Sequence, residues 1–152
     1  MAGDYRLDGL AVPESLRRLH ALLEHVAQDH PEVTADDLML LETAVIEIAG
    51  NVVEHGRPPG QVRYAFEVAV LPDRLEALLT DTGEEVPGAT GSPDMPDCYE
   101  ETGRGLPLAR AALDDLSYAR EDERNLWRMV RMLHGVGAAD VTGVPAPRSG
   151  RP

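Results

Sequence analysis

The residues best suited to chemistry fall into three short groups, well separated along the 152-residue chain. The first is Glu47-x-x-x-Asn51-x-x-x-His55, with Glu54 beside it. At about 100° per residue these side chains form one row on a helix, opposite to or flanking an apolar stripe of Leu38, Leu41 and Val45. A carboxylate and a carboxamide one turn apart can share a divalent ion and its waters. Hard oxygen donors of this kind suit Mg²⁺, which keeps several waters and takes phosphate oxygens as further ligands. A solvated polar helix face uses the same residue types, so the row alone does not decide between the two.

The second group is Asp81-Thr82-Gly83. Asp81 shares strand parity with Leu75, Ala77 and Leu79, so it points to an apolar face. A carboxylate there needs a donor to offset its desolvation, and the exocyclic amine of adenine is one such donor. Gly83 allows a flat base to approach the backbone, although an Asp-x-Gly turn is also common in its own right. The third group is Gly103-Arg104-Gly105, just ahead of Leu106. Backbone N–H groups at a helix start, freed of side-chain bulk, make an anion site favoured by the helix dipole. A flexible loop end has the same composition.

Composition narrows the chemistry further. All 14 basic residues are arginine, and the absence of lysine excludes a Walker A phosphate loop, a Schiff-base enzyme and a standard protein-kinase fold. The bland source of that absence is the codon bias of a GC-rich genome. Cys98 stands alone, so neither an intrachain disulfide nor a thiolate metal site can form. His20, His25 and His30 are spaced by five, which turns successive rings around a helix instead of aligning them on a metal. A formal net charge of −13 repels nucleic acid and attracts a basic protein partner. No apolar run reaches the roughly 20 residues of a membrane span, and no signal-like start precedes Asp4, so the expected compartment is the cytoplasm.

The elements that must position these groups can be read from periodicity. A short strand is expected within Asp4 to Val12, followed by a helix starting at Pro13 with Leu16, Leu19, Leu23 and Val26 on one face through about Gln28. A second helix begins after Thr34, its N-cap, carries Leu38, Leu41, Val45, Ile48, Ala49 and Val52, and stops at His55-Gly56. Val62 to Val70 alternates at strand period, Pro72-Asp73 turns the chain, and Leu75 to Asp81 returns. Residues Pro87 to Thr102, rich in Gly, Pro, Ser and Asp, read as a lid or binding loop. Gly103-Arg104-Gly105 opens a third helix whose apolar face is Leu106, Ala109, Leu113 and Leu116. Strands follow near Leu116 to Arg120 and Leu126 to Leu133. One domain spans residues 1–134, and the Gly/Pro/Ala-rich stretch 135–152 reads as a flexible tail.

Taken in order, Glu47-x-x-x-Asn51-x-x-x-His55, Asp81-x-Gly83 and Gly103-x-Gly105-Leu106 resemble the signature of the GHKL (Bergerat-fold) superfamily, which includes histidine kinases, gyrase-type ATPases and heat-shock chaperone ATPases. A short chain of this kind is similar, within that superfamily, to the RsbW/SpoIIAB-type anti-sigma-factor serine/threonine kinases. The resemblance covers about Leu7 to Leu133. It implies a two-layer α/β sandwich, with helices on one face of a mixed sheet and ATP held between helix and lid. Carried over residue by residue, Asn51 would ligate Mg²⁺ and Glu47 would act as general base or orienter. His55 would flank the nucleotide, Asp81 would read adenine, and Gly83 would line the base pocket. Gly103, Arg104, Gly105 and Leu106 would form the phosphate segment. Arg18, on the first helix, looks like an arginine that contacts protein partners.

The implied function is sequestration of a sigma factor, with phosphorylation of a serine on a STAS-type anti-anti-sigma antagonist. A homodimer is among the assemblies the resemblance implies. Two departures bear on this. Glu84 and Glu85 stand where many relatives place another glycine, and Asn125-Leu126 replaces a Gly-Thr start to the last strand, so that a hydroxyl contact near the phosphates is missing or supplied by Asn125. These departures favour a rival reading, a non-catalytic nucleotide-binding module that works by docking. A histidine-kinase catalytic fragment is a third reading, but His20 and His25 lack a dimerisation-type hairpin around them.

Overall fold

The computed structural model describes residues 3–86 and 106–134. Its elements are β1 (Tyr5–Leu10), α1 (Pro13–Asp29), α2 (Ala35–His55), β2 (Arg63–Val70), β3 (Arg74–Asp81), α3 (Leu106–Ala112), β4 (Asp115–Glu121) and β5 (Arg124–Met132). The strands form one sheet in the order β1-β2-β3-β5-β4, and the helices pack on one of its faces. This is the two-layer α/β sandwich that the resemblance implies. Every pairing among the described strands is antiparallel, which makes the sheet more uniform in direction than the implied mixed one. The expected loop at 87–102, the Gly103-Arg104-Gly105 helix start and the 135–152 tail lie outside the described residues.

Local chemistry accounts for most of the boundaries. Pro13 starts α1, and the buried Ser15 hydroxyl donates to Leu10 O at 2.6 Å while accepting from Val12 N at 3.2 Å, tying β1 to the helix. Thr34 caps α2 by accepting from Asp37 N at 3.1 Å. At the far end Gly56 donates to Val52 O at 2.9 Å, and a Cβ there would lie 2.4 Å from that same oxygen, so the stop requires glycine. Pro72-Asp73 turns β2 into β3, closed by Leu71 N to Arg74 O at 2.9 Å. Asp122 and Glu123, at φ 48° and 62°, make the tight turn between β4 and β5. Two successive positive φ values match the twist of a hairpin but strain a Glu.

The core lies between α2 and the sheet. Leu41, Val45, Ile48 and Ala49 from α2 meet Phe66, Leu75, Leu79 and Met129, all at most 5% exposed. The expected third helix is shorter than its periodicity suggests. It ends at Ala112, and Leu116 belongs to β4. Asp114 explains the early stop: its backbone N–H donates to Val130 O at 2.9 Å and its side chain accepts from Met132 N at 2.6 Å, which commits the chain to the sheet.

A polar latch closes the end of α2 remote from Gly56. Asp37, 3% exposed, takes Thr34 Oγ1 at 2.9 Å and His134 N at 3.4 Å on Oδ2, and Arg131 Nε at 3.0 Å on Oδ1. Arg131 also donates to Ala112 O at 3.2 Å, so one guanidinium joins α2, the end of α3 and β5. Burial pushes the Asp37 carboxyl up, but the Thr34 hydroxyl, the Arg131 guanidinium and the His134 N–H together outweigh it and hold it below its ordinary value. The His134 ring, 3.8 Å away, is the remaining titratable neighbour.

Two stability outcomes follow. Removing one partner of a buried, hydrogen-bonded pair is costly, so Asp37→Ala should lose about 3 kcal/mol in chemical denaturation. A depressed folded-state carboxyl contributes stability at neutral pH that is lost as pH falls from about 3.8 through the lower folded value. The difference between wild type and Asp37→Asn should therefore shrink with acidification. Glu123→Gly should relieve the left-handed strain and raise stability by about 0.5–1 kcal/mol in the same assay.

Candidate functional site

The C-terminal half of α2 runs past the ends of β3 and β5 and forms a cleft of about 260 Å³ with them and with residues 82–86. Asn51 and His55 line it from the helix, Asp81, Gly83, Glu84, Glu85 and Val86 from β3 and its continuation, and Asn125 and Trp127 from β5. Four of the residues singled out by sequence, Asn51, His55, Asp81 and Gly83, are thus brought to one place although they come from separate segments. Glu47 stands one helical turn before Asn51, half-buried, and is not among the lining residues. Leu106 is 1% exposed, belongs to the hydrophobic core and is not among the described lining residues. Gly103, Arg104 and Gly105 lie outside the described residues. Glu54 turns outward, its side chain 75% exposed and 3.8 Å from His55 Nε2.

Asp81 is the chemical centre. Strand alternation on a face covered by α2 buries it to 3% exposure, beside Leu79 and Trp127. Its Oδ1 accepts from Gly83 N at 2.9 Å and from Asn125 Nδ2 at 2.8 Å, while Oδ2 is buried with no hydrogen-bond partner. The Trp127 indole exerts only a weaker pull on the carboxylate. Burial pushes this carboxyl above its ordinary value, opposed by Asn125, the Gly83 amide, Trp127 and Arg120. A buried acceptor without a donor costs free energy that a donor on a ligand would restore. Gly83 is needed for closeness, since a Cβ there would sit 2.9 Å from Asp81 Oδ1.

Asn125 does not take the phosphate-side role left open by the sequence. The register places it directly opposite Asp81, and its side chain is committed there. Nδ2 also donates to Glu84 O at 2.9 Å, and Oδ1 receives Arg120 Nη1 at 3.0 Å and the Tyr118 hydroxyl. Arg120 further donates to Gly83 O at 2.6 Å, and Tyr118 accepts from Val86 N at 3.1 Å. The segment 83–86 is therefore held by side chains of β4 and β5. Tyr118 also stacks on Trp127, ring centroids 4.6 Å apart and tilted by 56°, which supports the apolar wall. Sequence reasoning missed Tyr118, Arg120 and Trp127. Strand parity would have placed Tyr118 with Arg120 on one face of β4 and Asn125 with Trp127 on one face of β5, but not the register that brings the two pairs together or sets them against Asp81.

Arg18 is exposed on α1 and lies over β1, its Nη1 3.4 Å from Asp8 O and 3.0 Å from where a Cβ on Gly9 would stand. The side chains of Glu84 and Glu85 are exposed at the cleft rim. Among the described residues no helix is long and apolar enough to cross a membrane, and no group of three or more His, Cys, Asp or Glu side chains is placed to hold a metal. Asn51, which lines the cleft from α2, offers a carboxamide oxygen, a hard donor of the kind Mg²⁺ accepts.

Known proteins fit this picture at the level of fold. The histidine kinase domain of the EL346 blue-light activated histidine kinase from Erythrobacter litoralis superposes with a TM-score of 0.54 at 14% identity, over 76% of this chain and 61% of that one. The chain thus spans about three fifths of that structure's length. The catalytic domain of the histidine kinase ThkA, in a nucleotide-free form, superposes with a TM-score of 0.51 at 10% identity, over 85% of this chain and 96% of that one. A second nucleotide-free form of ThkA gives the same TM-score and identity. No functionally curated protein matches the chain. The family model described as "Histidine kinase-like ATPase domain" matches residues 10–131, a span that takes in Asn51, Asp81 and Asn125. The chain belongs to the histidine kinase-like ATPase domain family.

Proposed function

We propose that this protein is an ATP-binding anti-sigma-factor regulator that sequesters a sigma factor and phosphorylates a serine of a STAS-type antagonist. The observation that carries the nucleotide part is Asp81 Oδ2, a buried carboxylate oxygen without a donor in a cleft walled by glycine backbone and Trp127. Adenine presents an amine donor on a flat ring, which suits both features. Asn51 would hold Mg²⁺, whose contribution when bound is to neutralise phosphate charge. With no lysine in the chain, guanidinium groups and backbone amides are left for the rest of the phosphate recognition.

In the kinase reading Glu47 works on the acceptor. A carboxylate is too weak a base to deprotonate a serine hydroxyl in advance. It would accept the hydroxyl proton late, as the new oxygen–phosphorus bond forms and the bond to the leaving ADP oxygen breaks. Positioning then supplies most of the catalysis. A surface with net charge −13 steers basic partner surfaces toward it, and the exposed Arg18 is the residue we assign to partner contact. A second reading, docking without catalysis, is favoured by one observation. Glu47 is not among the cleft-lining residues, while the exposed Glu84 and Glu85 are.

Calorimetry tests the nucleotide site, and label transfer separates the two readings from each other. Wild type should bind MgATP, and Asp81→Asn should weaken it roughly tenfold to a hundredfold, since the substitution removes a charged acceptor. Unchanged affinity in Asp81→Asn would mean that the base sits elsewhere. Glu47→Ala should leave ATP affinity within about twofold and abolish label transfer from ATP to the antagonist serine. If wild type binds the sigma factor tightly but labels no antagonist, the docking reading replaces the kinase.

A further inference from the structure

Asn125 is 2% exposed, and the direction of its amide is forced by its neighbours. Arg120 Nη1, 3.0 Å from the Asn125 side chain, can only donate. The Tyr118 hydroxyl already accepts from Val86 N at 3.1 Å, so its own proton goes to Asn125. Two donors on that side require the amide oxygen there. The amide nitrogen is thereby turned to Asp81 Oδ1 at 2.8 Å and to Glu84 O at 2.9 Å. Asp81 Oδ1 also carries the Gly83 N–H at 2.9 Å. With two donors on Oδ1, a proton on this carboxyl could sit only on Oδ2.

We propose that Asn125 is a specificity-determining residue of the base pocket. By saturating Asp81 Oδ1, it leaves Oδ2 as the acceptor a purine meets, so that a 6-amino purine is taken in preference to a 6-oxo one. The inference rests on the nucleotide reading above. A 6-amino group donates to Oδ2, which accepts no hydrogen bond from the protein. A 6-oxo group sets two acceptors face to face and leaves a buried charge unpaired, which is the situation in which polar sites discriminate most strongly. Asn125 is a positioning residue in this scheme, acting through Asp81 and not touching the base itself.

The test uses the full chain and two nucleotides that differ at that position, MgATP and the 6-oxo analogue MgITP. Asn125→Thr and Asn125→Val have nearly the same shape and both suit a strand. They differ in a hydroxyl that can donate across the Asp81–Asn125 pair. Wild type should prefer ATP, Asn125→Thr should keep the ATP/ITP affinity ratio within about threefold of wild type, and Asn125→Val should lower it about tenfold or more. Equal ratios in all three proteins would overturn the proposal even if both variants bind more weakly, because a merely structural role weakens both nucleotides alike. Should Asn125→Val fail to fold, Tyr118→Phe removes one of the two donors that orient the amide. It should lower the ratio about twofold to fivefold, and an unchanged ratio counts against the proposal. Wild type binding both nucleotides equally would overturn the specificity claim and leave the nucleotide reading standing. Wild type binding neither would end both.

Discussion

A carboxylate held out of water at the end of a central strand, with one oxygen saturated and the other left without a donor, is the constraint to which the rest of this site is fitted. Asp81 is there because β3 alternates and α2 covers its inner face. Its cost is tolerated because Asn125, Gly83 and, more weakly, Arg120 and Trp127 compensate part of it. What is not compensated is what a ligand can supply. A fully satisfied network at this place would be more stable and would have nothing left to offer a ligand.

The two ends of α2 show the contrast. At its start, Asp37 has both oxygens engaged by Thr34, Arg131 and the His134 amide, and the latch joins three elements. About 20 Å along the helix axis, Asn51 and His55 face a cleft whose key carboxylate is incomplete. One end of the helix is built for rigidity and the other for chemistry. The hairpin β4-β5 serves the second end, because Tyr118, Arg120 and Asn125 reach from it to fasten residues 83–86.

Much of this was legible in the residues themselves. Helical periodicity and the Thr34 cap locate α2, and strand parity alone turns Asp81 inward. Leu116 was misleading because it keeps helical spacing with Leu106, Ala109 and Leu113, whereas Asp114 pairs with β5 and ends the helix first. The role of Asn125 was hidden for a different reason. Register between β3 and β5 depends on the intervening α3 and on the Asp122-Glu123 turn, and no local pattern states that position 125 stands opposite 81. The family pattern leaves open whether this residue replaces a hydroxyl near the phosphates or that contact is missing. The strand register sends it to Asp81.

The central claim is a spatial one: a purine's exocyclic amine rests on Asp81 Oδ2 in the cleft between α2 and the ends of β3 and β5. A crystal structure of the protein with Mg²⁺ and a non-hydrolysable ATP analogue tests it most directly. The account predicts the base seated between Gly83 and the Trp127 wall, its amine nitrogen within hydrogen-bond distance of Oδ2, and Asn125 unmoved on Oδ1. A nucleotide bound elsewhere, or a base in the cleft with its amine turned away from Asp81, would contradict it.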